Sequence, residues 1–202
     1  MGLSIHYQGS LTDYSFVDEL TDEVEDICKS LAWKYHLWKK KNYSRDTVHV
    51  EKPDFINYKL EDLKGISIFP EECEPVELAF FPSGILCSPI KLMHNDPATN
   101  DLMVQVVSTK TQFAGPDTHK AVLNLLRYLQ EKYFADFELS DEGMYWETKD
   151  EKILTSQFAK YNFILKTVAD ALSDLKMVQG ETPTSLADRI EELLIKKLGP
   201  RE

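Results

Sequence analysis

The sequence predicts an α+β fold: a mainly antiparallel sheet from two strand–helix–strand–hairpin halves, long helices on one face, and a C-terminal helical hairpin. Three observations carry this. Alternating apolar and polar segments, the period of a half-buried strand, flank two amphipathic helical stripes. Turn residues stand between the strands, as at Pro82-Ser83-Gly84 and Ser140-Asp141-Glu142-Gly143. From residue 150 the pattern changes to apolar steps of four and three, a helical seam.

The elements follow in order. Residues 2–8 alternate as a strand, and Ser15 is placed to cap a helix whose stripe is Phe16, Leu20, Val24, Ile27 and Leu31. Residues 33–38 alternate again. The stretch 39–64 has little periodicity and reads as a surface excursion. Strands are expected over 65–69 and 76–81, the second turning into a hairpin partner over 85–90, and His94 to Asp101 reads as a loop. A long strand over 103–113 leads to Asp117 as N-cap of a helix with Val122, Leu125, Leu126, Leu129 and Tyr133 inward. Residues 137–139 and 144–148 then form a hairpin with Gly143 in the left-handed position.

The shared grammar of 1–90 and 103–149 suggests an internal duplication within a 1–149 sheet domain, whose consequence is one continuous sheet. Residues 150–199 form the helical extension. Leu154, Phe158, Tyr161, Leu165, Val168, Leu172 and Leu175 make its first seam, and Ser185 caps a last helix carrying Leu186, Ile190, Leu193, Leu194 and Leu198. Such helices pack on the sheet domain or on a partner, giving a monomer or a homodimer.

Composition narrows the function. The chain has 202 residues, about one domain's worth, with 43% apolar and 28% charged residues. Its 23 basic and 34 acidic residues leave a net charge of −11, which opposes non-specific contact with nucleic acid or anionic lipid. Cys28, Cys73 and Cys87 form no C-x-x-C pair, and Glu72 and Glu74 disfavour a Cys73 thiolate. No signal-peptide pattern and no membrane-length apolar run occurs, so a cytoplasmic setting is expected. Nucleotide-binding loops, the serine-hydrolase elbow, the zinc-protease helix and the EF-hand loop are missing, and no cofactor or metal is expected.

Candidate site residues come from strand parity. With Leu3, Ile5, Tyr35, Ile66, Leu78 and Leu139 facing the helices, the alternate residues face away. These include His6, Gln8 and Glu138, and they mix aromatic with titratable groups as a ligand cleft does. The candidate ligand-binding set is His6, His36, Trp38, Glu77, Phe81, Lys110, Gln112, Tyr145 and Glu147. Lys110 and Gln112 precede a helix start, a place where anions bind; His49, His94 and His119 read as surface residues. The function expected is a binding module for a basic protein partner or a small molecule on the open sheet face. The alternative is an enzyme with an acid–base or metal site around His6, His36 and sheet-face carboxylates.

Overall fold

Alternation becomes structure at once in β1 (Ser4–Leu11), which turns Ile5, Tyr7 and Leu11 inward and leaves Ser4, His6, Gln8 and Ser10 half-exposed. The computed structural model describes residues 2–39, 58–94, 102–173, 175 and 182–198. Most of the aperiodic stretch 39–64, and all of the loop expected over 94–101 except His94, lie outside them. Asp13, not Ser15, provides the next cap: its carboxylate accepts the Ser15 N–H at 2.8 Å, and the 3-10 turn it starts runs into α1 (Val17–Leu31). The buried stripe of α1 is Val17, Leu20, Val24 and Cys28, so the expected members Phe16 and Leu31 lie exposed at its margins.

The strands form two antiparallel sheets. One has the order β2 (Lys34–Trp38), β3 (Lys64–Phe69), β4 (Val76–Phe80), β5 (Leu86–Cys87). The other places β1 between β6 (Val107–Lys110) and β7 (Phe134–Asp141). The α+β class with antiparallel sheets is therefore what forms, whereas the single continuous sheet is interrupted. Short bonds stitch the interruption: Ser10 bridges Ile85, Leu11 N–H donates to the Gly84 carbonyl at 2.9 Å, and Glu74 N–H to the Lys110 carbonyl at 3.0 Å.

Pro89 causes the break. Ala79 pairs with Cys87, and Phe81 N–H bonds the Ile85 carbonyl, so the residue next in line opposite Glu77 is Pro89. Proline has no N–H and is preset for a helix's first turn. The hairpin strand expected over 85–90 accordingly ends after two residues, and Pro89–Met93 becomes α2. The Tyr7 phenol takes the place of the missing strand: it accepts the Glu77 N–H and donates to the Glu77 carbonyl, both at 3.0 Å. Tyr7→Phe leaves those two part-buried backbone groups unpaired. It should lower stability by about 2–6 kcal/mol at 1–3 kcal/mol for each orphaned group. Urea unfolding with a shifted midpoint and unchanged slope checks this; a midpoint equal to wild type would refute it.

The second half departs from the expected pattern in three places. The strand expected over 103–113 is only β6, because Leu102–Gln105 form a 3-10 turn. The helix α3 (Gly115–Tyr133) has Ala114 at its N-cap with no side-chain bond, and Asp117 lies exposed in the first turn beside Lys120. Residues 145–148, expected as a strand, are the short helix α4 (Tyr145–Thr148). The two long helices are neighbours. α1 packs on β2 and β3, α3 on β7, and Lys132 of α3 bonds Glu19 at 3.1 Å and Glu23 of α1.

The chain divides into two units, Met1–Leu154 and Thr155–Glu202. The helix α5 (Glu151–Ser173) gives its first four residues to the first unit. In the second, the seam is buried at Phe158 and 47% exposed at Leu172. Thr182, rather than Ser185, caps α6 (Pro183–Leu198), its hydroxyl accepting the Ser185 N–H at 3.2 Å. Among the described residues no helix is long and apolar enough to cross a membrane.

Candidate functional site

Parity holds strand by strand but yields two surfaces rather than one. On the four-stranded sheet, His36 pairs with Ser67 and Ser67 with Glu77, a row across three strands. The Trp38 indole donates to the Ser67 hydroxyl at 2.7 Å, and that hydroxyl donates in turn to the Glu77 carboxylate. Burial pushes the Glu77 carboxyl above the ordinary range, the Ser67 bond opposing it. This face is not open. Leu63, Ala79, Phe81, Cys87, Leu92 and Val104 form a second core on it, with Trp38 and Tyr58 packed at the side and Tyr58 stacked on Phe81. Phe81 is fully buried there, whereas His36, its ring edge-on to Trp38 at 4.7 Å, is exposed.

On the three-stranded sheet the outward side chains Ser108, Asp136, Glu138 and Ser140 are exposed and His6, Gln8 and Ser10 half-exposed. His6 lies between Ser108 and Ser140, its Nδ1 bonded to the Ser108 hydroxyl at 2.9 Å. Gln8 pairs with Glu138 and donates to its carboxylate at 2.7 Å. Ser10 pairs with Asp136, and its N–H and hydroxyl both donate to Asp136 Oδ1, at 2.6 and 2.8 Å. A half-open cleft of about 270 Å³ lies here, lined by Gln8, Gly9, Ser10, Ile85, Gln105, Asp136, Phe137 and Glu138. Among the described residues no Lys or Arg pairs with Asp136 or Glu138.

The remaining candidates fall elsewhere. His6 and His36 belong to different sheets, so the strands flanking α1 do not pair and the two rings do not form one site. No group of three His, Cys, Asp or Glu among the described residues can hold a metal ion. Lys110 sits with its ammonium 5.8 Å from the Phe113 ring, and Gln112 is buried in the turn before α3 with neither end of its amide partnered among the described residues. Tyr145 and Glu147 are on α4, not on a strand: Tyr145 is buried and Glu147 exposed. Cys73 is raised to about 12 by burial first and Glu74 second, so the neighbouring charge is the lesser cause.

Sequence reasoning missed a buried polar chain. Thr111 and His119 are fully buried, and His119 Nδ1 lies 2.6 Å from the Thr111 hydroxyl. Asp141 accepts only, so His119 Nε2–H donates to its Oδ1 at 2.8 Å. The same carboxylate accepts N–H groups from Gly143, Tyr145 and Trp146 at 2.6, 2.7 and 2.9 Å, which starts α4. Burial alone would raise the Asp141 carboxyl, but His119 and these N–H groups together hold it below the ordinary range. Gly143 is needed here for space, not for a left-handed backbone, which Met144 adopts (φ 60°). A Cβ on Gly143 would stand 2.7 Å from His119 Nε2.

Hydroxyl, imidazole and carboxylate in that order are the parts of an acyl-transfer triad. Here they are sealed from solvent, and the carboxylate is spent on backbone groups, so the chain acts as a strut between α3 and the β7–α4 turn. The helical spacing 119, 122, 126, 129, 133 was the available signal that His119 faces inward. For Asp136 it was alternation with Glu138 along β7. No family model, curated protein or solved structure matches the chain.

Proposed function

We propose that the protein is a binding module whose outward β6–β1–β7 face receives a basic partner. The observation that carries the reading is the cleft at Gln8, Ser10, Gln105, Asp136 and Glu138, where both carboxylate residues are exposed and the other three half-exposed. Its two carboxylates are held in place by Gln8 and Ser10, Glu138 through Oε2 and Asp136 through Oδ1, and no Lys or Arg among the described residues pairs with either. A wall of fixed acceptors suits a donor-rich cation, and the net charge of −11 favours its approach. The cleft is near the small end of the ligand range, which fits a side chain of a larger partner.

The test is a titration of isotopically labelled protein with tetra-arginine and, separately, tetra-glutamate. Saturable amide shifts at Gln8, Ser10, Gln105, Asp136 and Glu138 are expected with the cation alone. They should weaken with salt and vanish in Asp136→Lys/Glu138→Lys. Shifts spread instead over the acidic face of α1 (Asp18, Asp22, Asp26), unchanged in the double variant, would reject the reading.

A further inference from the structure

We infer that β7 is a docking edge to which a partner adds an antiparallel strand of alternating basic and apolar residues. This rests on the binding-module reading and specifies its mode. β1 is the middle strand, and two bonds fix which of its residues face which neighbour. Thr111 N–H bonds the Leu3 carbonyl at 2.9 Å, and Glu142 N–H the Ser4 carbonyl at 3.2 Å. Odd residues of β1 therefore bond β6 and even residues bond β7, because the two sides alternate along a strand. On β7 the even residues Asp136, Glu138 and Ser140 turn their backbone groups to β1, and Phe137 and Leu139 turn theirs to the free edge. No described residue bonds those outward groups. Among the described residues no strand pairs with that edge, and β7 carries no Lys or Pro, two of the residues that usually protect one.

Side chains choose the occupant. Asp136 and Glu138 stand on the open face, and Phe137 and Leu139 on the inner face are only half-buried. An added strand places residues directly opposite Asp136 and Glu138 at non-hydrogen-bonded positions, where side chains approach most closely. Lys or Arg there meets the carboxylates, and the intervening apolar residues cover Phe137 and Leu139. A second copy of β7 is disfavoured, because a two-fold pairing over this segment sets carboxylate against carboxylate. The same charges that keep the edge from pairing with itself select a basic strand.

The probe is a capped hexapeptide alternating Lys and Val, titrated into the full chain, with two N-methylated forms. Val amides point to β7 in the added strand and Lys amides point away. Methylating the Val amides should weaken binding about tenfold or more, by removing two or three hydrogen bonds, while methylating the Lys amides should change it little. Phe137 and Leu139 amides should gain protection from hydrogen exchange with the unmodified peptide. If both methylated forms bind like the parent, strand addition is overturned and the charged-face reading stands. Absence of parent binding overturns strand addition too; the tetra-arginine titration then decides the broader reading alone.

Discussion

Asp141→Asn should lower the unfolding free energy by about 3–5 kcal/mol, the range for breaking a buried charged network on one side. The carboxylate serves four donors: His119 and Gly143 at Oδ1, Tyr145 and Trp146 at Oδ2. An amide replaces one acceptor oxygen with an NH₂ group, which then faces N–H donors. Turned toward Tyr145 and Trp146, it strips α4 of its start. Turned the other way, the imidazole can adapt: Nε2 accepts, Nδ1–H donates to Thr111, and the Thr111 hydroxyl turns to the Leu3 carbonyl at 3.3 Å. Gly143 N–H is orphaned even so.

The acid limb of the stability profile provides a second readout of the same residue. The folded carboxyl lies below its ordinary value and the unfolded one at about 3.9. Its contribution is thus complete above the unfolded value, and it is lost as pH falls through that value toward the folded one. Asp141→Asn should remove this part of the acid dependence. Denaturant midpoints from pH 7 to pH 3 measure both effects, and a variant curve parallel to wild type across that range would contradict the account.

Gly65→Ala should be at least as damaging, by about 4 kcal/mol or more, against a typical total of 5–15 kcal/mol. Gly65 is in the interior strand β3, at φ 136°, a region costing other residues about 1–3 kcal/mol. The larger penalty is steric. A Cβ would lie 2.0 Å from the Leu78 carbonyl oxygen and 3.1 Å from Ala79 Cα, both main-chain atoms of β4. No rotamer relieves that contact, so β3 and β4 must separate where the sheet is covered on both faces. Gly84→Ala is the control: its φ is 83°, but a Cβ would meet nothing nearer than 3.7 Å, leaving the backbone penalty alone. Thermal unfolding should therefore rank Gly65→Ala well below Gly84→Ala. Equal melting temperatures would show that β3 and β4 are not this close at residue 65.

How much of this was legible depends on whether the deciding interaction is local. β1, β2, β3 and β4 were readable because alternation is set by the pleat, and Val122, Leu126, Leu129 and Tyr133 because a helix repeats its face every three or four residues. The misplaced elements were decided by single residues acting against pattern. Pro89 ended β5, and Asp141, reaching over Gly143, turned an expected strand into α4. His36, Trp38 and Glu77 were rightly placed on one face. That this face would be covered by α2 and the turns at 60–62 and 102–105 has no trace in β-strand periodicity, because covering elements come from distant sequence.

The sequence alone determined the α+β class, the antiparallel pairing and the facing of each strand's side chains, since these follow from backbone geometry and nearest-neighbour chemistry. Tertiary structure decided which of those faces remained exposed and which polar residues met. Asp136 and Glu138 were left open to solvent, while Thr111, His119 and Asp141 were sealed together. The physical reason is that burial and hydrogen-bond partnership are set by chain segments up to more than a hundred residues apart, as when Tyr7 bonds Glu77 and Ser10 bonds Asp136.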